Sequence, residues 1–149
     1  MPINLLVRRK AGCEDLPLPR YMSEAAAGMD VCAAVEGPVL LEPGDVKLIP
    51  TGLYVAVPPG YEVQVRPRSG LALKHGLVIV NSPGTIDADY RGEVGIIVGN
   101  IGREPFTITR GLRIAQLVVA AVARADVQVV QELPETRRGD GGFGHSGTH

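Results

Sequence analysis

Hydrophobic and polar positions along the chain form short runs that are rich in β-branched residues and partly alternate. Gly and Pro turn signals separate the runs, a spacing that is typical of strands in an all-β sandwich or barrel. No long helical pattern lies between them, which disfavours a parallel α/β sheet. The runs are VLLE, VKLIPTGLYVAV, YEVQVRP, GLVIVN, EVGIIVGNIG, FTITR and RIAQLVVAAVA. The pattern therefore predicts an all-β fold.

Two stretches depart from this pattern. SGLALKHG, Ser69 to Gly76, is predicted as one short helix, with Ser69 as N-cap and Gly76 at its end. VVAAVARADVQVVQEL can be interpreted as an amphipathic helix or as a strand, and its Val-rich pairs favour a strand. The pattern stops after Leu133, so we assign residues 1–133 to a single β domain and residues 134–149 to a flexible C-terminal segment.

Composition limits the class of protein. With 149 residues, 45% of them hydrophobic and only 4% aromatic, the chain fits one domain with an aliphatic core. Lys and Arg number 15 against 16 Asp and Glu, and no long run of one charge occurs. Because binding to a nucleic-acid polymer needs a concentrated basic face, we expect no such partner. A small anion held by a few arginines remains compatible with this charge pattern.

The cysteines and the lengths of the apolar runs indicate the cellular compartment. Cys13 and Cys32 fit neither a metal knuckle nor a disulfide framework, so we expect two reduced thiols in a cytoplasmic protein. The N-terminal stretch MPINLLVRRKAG has too short an apolar run for a signal peptide. No stretch approaches the roughly 18 apolar residues of a membrane span, so we expect no membrane association.

Two segments carry candidate chemistry for a nucleotide. RPRSGLALKHG places two arginines before a helix start, where free backbone N–H groups attract anions; a solvated basic turn is the alternative interpretation. In NSPGTIDADYRGE, Asp87 and Asp89 would project to one face of an extended hairpin. Asn81 offers the donor and acceptor pair that can read a pyrimidine edge. A plain β-turn is the alternative for this second segment.

Three further segments are less specific on their own. Gln116 is the lone polar residue of an apolar run in TRGLRIAQL, and a buried amide there needs a hydrogen bond to the backbone or to a ligand. AGMDVCA carries Asp30 in a stretch of small and apolar residues. RGDGGFGHSGTH at the C-terminus contains five glycines around Phe143, a composition that favours disorder.

Taken in order, five of these segments resemble the five motifs of the trimeric dUTPases, enzymes that hydrolyse dUTP to dUMP and diphosphate. The matching stretches are AGMD, RPRSGLA, GTIDADYRGE, RGLRIAQL and RGDGGFGHSG, and the HSG ending is similar to the bacterial form. The resemblance implies a homotrimer of jelly-roll-like, all-β subunits with active sites between subunits. It also implies dUTP as substrate, Mg²⁺ as cofactor, and a role in keeping dUTP low and supplying dUMP for dTMP synthesis.

The resemblance also implies roles for single residues. Asp87 matches the residue that activates the attacking water, and Tyr90 matches a ring that packs on the deoxyribose and excludes a 2′-hydroxyl. Asn81 would face uracil together with the hairpin backbone. The further substrate contacts implied in this way are Arg68, Ser69, Gly70, Thr85, Ile86, Gln116, Arg138, Phe143, Gly144, His145 and Ser146.

The resemblance also implies roles for the metal ion and for the C-terminal segment. Asp30 matches an aspartate near the metal that does not ligate it, while Mg²⁺ is held mainly by the triphosphate and water. Arg138 would reach the terminal phosphate and Phe143 would stack on uracil. The segment is then a lid, whose glycines permit the turns and close phosphate contacts that other residues resist.

The chain departs from the family pattern at two places. Leu112 stands where an acidic residue is common, and His145 and Ser146 replace a Ser-Thr pair, which leaves individual γ-phosphate contacts open. Two other functions are considered: a dCTP deaminase, which shares the fold, and a non-catalytic nucleotide-binding trimer. The GTIDADYRGE hairpin and the Gly-rich tail argue against the first, and the intact Asp87 and Tyr90 argue against the second.

Overall fold

The computed structural model of the protein describes residues 3–148, and strands dominate it. In chain order the elements are β1 (Leu6–Arg9), β2 (Arg20–Tyr21), β3 (Met29–Cys32), β4 (Val39–Leu41), β5 (Val46–Ala56), β6 (Tyr61–Arg66), α1 (Ser69–His75), β7 (Leu77–Ile79), β8 (Gly84–Ile86), β9 (Glu93–Asn100), β10 (Phe106–Ile108) and β11 (Arg113–Ala121).

The strands form two larger sheets and a small ribbon. One sheet has the order β1-β5-β9-β7, the second has the order β2-β3-β11-β6-β8, and β10 pairs with β4. All of these pairs are antiparallel. The predicted all-β, jelly-roll-like fold with one short helix is therefore confirmed.

The core is aliphatic, as the composition predicts. Along β6, Val63 and Val65 are buried while Gln64 and Arg66 point away from the core, which is the period of two expected for a strand with one covered face. The other large sheet contributes in the same way, with Ile49 and other residues almost fully buried. The largest apolar side chains that are almost fully buried are Leu41, Ile49, Ile96, Ile108, Ile114, Leu117, Val31, Val63, Val94 and Val98.

The start of α1 differs from the prediction. Arg68, not Ser69, occupies the N-cap position, with an extended backbone (φ −93°, ψ 126°) and no side-chain cap hydrogen bond. The assignment of Ser69 as N-cap is wrong because the chain is still extended at Arg68, whose guanidinium donates to the backbone oxygen of Arg113. The predicted end is confirmed, since Gly76 adopts φ 68° and its N–H donates to Ala72.

The C-terminal strand is shorter than predicted. β11 ends at Ala121, and residues 122–148 contain neither strand nor helix. The strand prediction is therefore wrong beyond Ala121, where Val127, Val129 and Leu133 are 86%, 98% and 82% exposed. A strand needs a hydrogen-bonded neighbour, and the described part of the chain offers none to this segment.

Two smaller expectations concern cysteines and membranes. Cys13 and Cys32 are both buried and free, in agreement with the prediction of two thiols. Burial raises the pKa of the Cys32 thiol, which keeps it protonated near neutral pH. Across residues 3–148, no helix has the length and hydrophobicity needed for a membrane span.

Candidate active site

The turn after β8 presents the predicted water-activating carboxylate to solvent. β8 pairs with β6 so that Ile86 lies opposite Val63 and points into the core. Asp87 follows directly and is exposed, whereas Ala88 packs against the core. The backbone N–H of Tyr90 donates to the Asp87 carbonyl over 3.1 Å and closes the turn. Asp87 is therefore held at the end of a strand with its carboxylate free of protein hydrogen bonds among the described residues.

Tyr90 is fixed at two points beside this turn. Its hydroxyl donates to the backbone oxygen of Glu93 over 3.1 Å. Its ring lies against Gly92, where a β-carbon would overlap the ring atoms. The glycine in the sequence YRGE is thus required by the position of the tyrosine ring, which is 43% exposed.

Two open cavities meet at Asp87. One has a volume of about 150 Å³ and is lined by Thr85, Ile86, Asp87, Tyr90, Glu93, Val94 and Gly95. The other, of about 720 Å³, shares Thr85 and Asp87 and extends past Asp89 to Arg91 and Arg124. A ligand atom in either cavity can therefore approach the Asp87 carboxylate.

Asn81 lies close to the β8 end of this region. It is exposed, and its amide nitrogen would stand 3.2 Å from a β-carbon built on Gly84. A cis peptide bond joins Ser82 and Pro83 between these two residues. The amide group of Asn81 is thus placed beside the backbone of β8.

A second polar cluster centres on Asp30, which is only 5% exposed. Arg113 Nη1 donates to Asp30 Oδ2 over 3.0 Å, and Arg68 Nε lies 3.4 Å from the same oxygen. Gln116 Nε2 donates to Asp30 Oδ1 over 3.1 Å. We call Asp30, Arg68, Arg113 and Gln116 the Asp30 cluster.

Strand pairing builds the Asp30 cluster from distant parts of the sequence. In the β3–β11 pair, Gln116 lies opposite Asp30. Gly28 permits close contact, since a β-carbon there would lie 3.2 Å from the Gln116 β-carbon. The structure thus brings together the segments AGMD, RPRSGLA and RGLRIAQL. Ser69 and Gly70 lie next to the cluster in the exposed first turn of α1.

Leu112, at the position where the family often has an acidic residue, has a packing role. Its side chain packs against the hydrophobic core. The local turn persists, because the Leu112 N–H donates to Thr109 and its carbonyl accepts from Ala33. The replacement therefore removes a charge without removing the turn.

The C-terminal segment is not joined to either group of residues. Arg138 Nε donates to the carbonyl of Gly141 over 2.7 Å, within the segment itself. Phe143 is fully exposed, with φ 49°. Gly144, His145 and Ser146 are exposed as well. Among residues 134–148, no hydrogen bond reaches the Asp30 cluster or Asp87.

A protein-family model described as dUTPase matches residues 14–147. This chain belongs to the dUTPase family. A relative from Caldanaerobacter subterraneus, named deoxyuridine 5′-triphosphate nucleotidohydrolase, is 56% identical over 147 residues and covers 99% of both chains. A relative of the same name from Desulfotalea psychrophila is 62% identical over 134 residues, covering 90% of this chain and 89% of its own.

Solved dUTPase structures share the fold. The dUTPase of Staphylococcus bacteriophage 80alpha with dUPNHPP matches with a TM-score of 0.87 and 29% identity, over 97% of this chain and 99% of that one. A mutant dUTPase from phage phi11 of S. aureus, described with a structural Mg(II) ion, matches with a TM-score of 0.78 and 26% identity over 89% of this chain and 99% of that one.

Two residues of the candidate site are not among those predicted from the sequence. Arg113 pairs with Asp30 across 83 positions, a contact that depends on the register of β3 and β11. Glu93 lines the cavity beside Asp87 and Tyr90, and its carboxylate points towards β5. Only the tertiary structure reveals either partner, although both residues lie in or next to matched motifs.

The Asp30 cluster is suited to binding an anion. Two guanidinium groups face one carboxylate, so the cluster carries a net positive charge. The side chains of Arg68 and Arg113 remain 26% and 42% exposed, which leaves donors free for phosphate oxygens. Both Asp30 oxygens already accept protein hydrogen bonds, so this carboxylate acts by orienting its neighbours.

Proposed function

We propose that this chain hydrolyses dUTP to dUMP and diphosphate by in-line attack of water on the α-phosphate, with Asp87 as general base. One observation supports this assignment above others: the Asp87 carboxylate is exposed at a cavity that it shares with Tyr90. A base must lie within hydrogen-bond reach of the attacking water, and such a base typically raises the reaction rate ~100- to 10,000-fold. The names of relatives 52–62% identical to this chain agree with the reaction.

Substrate selection is assigned to the residues around β8. The Tyr90 ring would pack on deoxyribose and leave no room for a 2′-hydroxyl. Asn81, with the backbone of Thr85 and Ile86, would hydrogen-bond the edge of uracil. Cytosine has the opposite donor and acceptor pattern and would leave buried polar groups unpaired, which is a strong basis for rejection.

The triphosphate is assigned to the Asp30 cluster and the start of α1. Arg68, Ser69, Gly70 and Gln116 would contact phosphate oxygens. Asp30 would hold the Arg68 and Gln116 side chains in place, which reduces the cost of ordering them when substrate binds.

The cofactor of the reaction is proposed to be Mg²⁺. Within residues 3–148, no group of three His, Cys, Asp or Glu side chains converges as a metal cage. We propose that a magnesium ion would be bound through substrate phosphates and water, as is usual for Mg²⁺ in nucleotide sites. The ion would neutralise phosphate charge and fix one triphosphate conformation.

We propose further that the active site is shared between subunits of a homotrimer. From Gln116 in β11, across β6 to β8, Asp87 is two strand spacings and about four residues away, or roughly 17 Å by standard sheet dimensions. A phosphate group held by Gln116 would therefore lie far from Asp87 of the same chain. This separation supports a site in which different subunits supply Asp87 and the Asp30 cluster.

The C-terminal segment is proposed to close over the occupied site. Arg138 would reach the terminal phosphate, Phe143 would stack on uracil, and Gly144, His145 and Ser146 would lie along the triphosphate. The positive φ angles of Gly139, Gly144 and Gly147 give this segment turns that other residues adopt rarely. The two free thiols agree with a reducing compartment, and we place the reaction in the cytoplasm.

A nucleotide panel tests the function. The protein is incubated with dUTP, dCTP, dTTP or UTP and Mg²⁺, and diphosphate and ammonia are measured separately, with an Asp87→Asn preparation as control. We expect diphosphate from dUTP alone. Ammonia release from dCTP would establish the deaminase alternative, and tight binding of dUTP without either product would establish a non-catalytic trimer.

A further inference from the structure

We propose that Glu93 is a positioning residue that sets the sugar selectivity of Tyr90, through a closed ring of hydrogen bonds with Gly52 and Lys10. The inference rests on the proposed function, because it takes the Tyr90 ring as the barrier to a 2′-hydroxyl. It assigns a role to the final glutamate of GTIDADYRGE, whose carboxylate accepts a hydrogen bond from the backbone N–H of Gly52 in β5.

The ring of hydrogen bonds begins at an irregularity in β5. Between Pro50 and Tyr54 the β5–β9 register shifts, so that four steps along β5 match two steps along β9, from Gly95 to Glu93. Such a bulge takes backbone groups out of the regular ladder, and buried groups then need other partners. Gly52 sits in this bulge with φ 65°, and a β-carbon there would overlap Cys13.

Glu93 supplies the missing partner. The Gly52 N–H donates to Glu93 Oε1 over 3.0 Å, and Lys10 Nζ donates to Glu93 Oε2 over 3.0 Å. The backbone N–H of Lys10 donates to the Gly52 carbonyl over 2.8 Å, which closes the ring. The Glu93 side chain is 23% exposed, and its hydrogen bond raises the pKa of Lys10. We call these three residues the Glu93 clamp.

The clamp fixes the atom on which Tyr90 rests. The Tyr90 hydroxyl donates to the backbone oxygen of Glu93, so movement of Glu93 moves the outer end of the ring. The inner end is tied to Asp87 through the Tyr90 N–H. Thr51 adds a further tie next to the clamp, because its hydroxyl donates to the Val94 carbonyl.

The contribution of the Glu93 clamp to sugar selectivity depends on how precisely the Tyr90 ring must be positioned. The aromatic ring of Tyr90 would exclude one hydroxyl group, so its position matters on the order of 1 Å. A misplacement of that size can lower a reaction rate by up to about a hundredfold. We therefore expect loss of the clamp to act on the ratio of kcat/KM for dUTP to kcat/KM for UTP. A contribution to folding alone would lower Tm and leave that ratio unchanged.

The experiment compares Glu93→Ala, Glu93→Gln and Asp15→Asn. Glu93→Ala leaves the Gly52 N–H without its acceptor, and we expect the dUTP/UTP ratio to fall by about tenfold. Glu93→Gln keeps an amide oxygen for Gly52, so most of the ratio should return. Asp15→Asn breaks a different ion pair, with Arg110, and should leave the ratio as in the wild type.

A double variant tests whether Glu93 acts through Tyr90. In a Tyr90→Ala background the ring is gone, so Glu93→Ala should change the ratio no further. If Glu93→Ala fails to fold, Tyr90→Phe tests the same contact. This substitution keeps the aromatic ring and removes the hydroxyl that donates to the backbone oxygen of Glu93. We expect the dUTP/UTP ratio of Tyr90→Phe to fall as well.

The outcomes separate this inference from the proposed function. A folded Glu93→Ala protein or a Tyr90→Phe protein with the wild-type ratio would overturn the clamp, and so would a further fall in the Tyr90→Ala background. In those cases dUTP hydrolysis and the effect of Tyr90→Ala stand. If Tyr90→Ala itself keeps the wild-type ratio, both the sugar barrier and the clamp are wrong.

Discussion

Replacement of Asp30 by asparagine removes one negative charge from the centre of the Asp30 cluster and preserves side-chain size. The carboxylate is 5% exposed and accepts hydrogen bonds from Arg113 and Gln116 over 3.0 and 3.1 Å. Arg68 lies 3.4 Å from the oxygen that Arg113 uses. Asp30→Asn therefore tests whether a single buried charge holds the proposed phosphate-binding side chains.

The size of the effect follows from which contacts asparagine can keep. Gln116 can rotate its amide and accept from the new NH₂ group, so the loss falls on the arginines. A hydrogen bond to a charged group contributes about 1.5–3 kcal/mol, and the partial exposure of both arginines favours the lower figure. A loss of about 1.5 kcal/mol corresponds to a decrease in Tm of roughly 3–6 °C for a domain of this size.

The kinetic effect should be larger on kcat than on KM. Without Asp30 the two guanidinium groups keep their attraction for phosphate, and one competing negative charge is gone. Their orientation, however, is no longer fixed, so fewer bound nucleotides are aligned for attack. We expect kcat for dUTP to fall roughly tenfold or more, with little increase in KM.

The assay combines thermal unfolding at one protomer concentration with initial rates of diphosphate release. Asp15→Asn is the matched control, because Asp15 also faces an arginine, Arg110 at 2.6 Å, but its side chain is 58% exposed. That hydrogen bond lowers the pKa of Asp15, so the control also loses a charge at neutral pH. Wild-type Tm and kcat in Asp30→Asn would refute the reasoning, as would equal effects in the control.

Three further predictions concern the proposed reaction. Asp87→Asn should leave nucleotide binding largely intact and cut turnover at least about a hundredfold, measured by single-turnover diphosphate release; near-normal turnover would exclude a base at this position. Tyr90→Ala should relax discrimination against UTP, measured as the dUTP/UTP ratio of kcat/KM, and an unchanged ratio would remove the ring as a barrier. Deletion of everything after Glu135 should abolish most turnover while the oligomer stays folded by light scattering and thermal melting; full activity in the truncated protein would show that the lid is dispensable.

Hydrophobic pattern was sufficient to predict most strands of the fold. Val63 and Val65 alternate with polar residues in β6, and this local signal survives folding because one face of the sheet is covered. Strands β1, β2, β3 and β8 lie outside the predicted runs, and the other errors lie at element ends. Ser69 has the composition of a cap, but a cap is defined by backbone conformation, and tertiary contacts of Arg68 keep that residue extended.

The stretch that follows β11 shows a different limit of sequence patterns. Val127 and Val129 alternate with polar residues as they would in a strand, yet both are exposed beyond the end of β11. Alternation reports that a segment suits a half-covered sheet, and it does not report which chain supplies the neighbouring strand. Within the described chain that neighbour is missing, so the pattern alone could not set the end of the last strand.

The candidate site divides in the same way between residues that sequence can and cannot identify. Asp87 and Tyr90 are identified as candidates by the resemblance of GTIDADYRGE to a dUTPase motif. The residues that support them are harder to identify from the sequence. Glu93 accepts a hydrogen bond from Gly52 across 41 positions, and any acceptor of suitable length could serve there. Such contacts depend on strand register and on a bulge, which local sequence does not specify. Substitutions of supporting residues should therefore shift selectivity and alignment, whereas substitution of Asp87 should remove the chemistry itself.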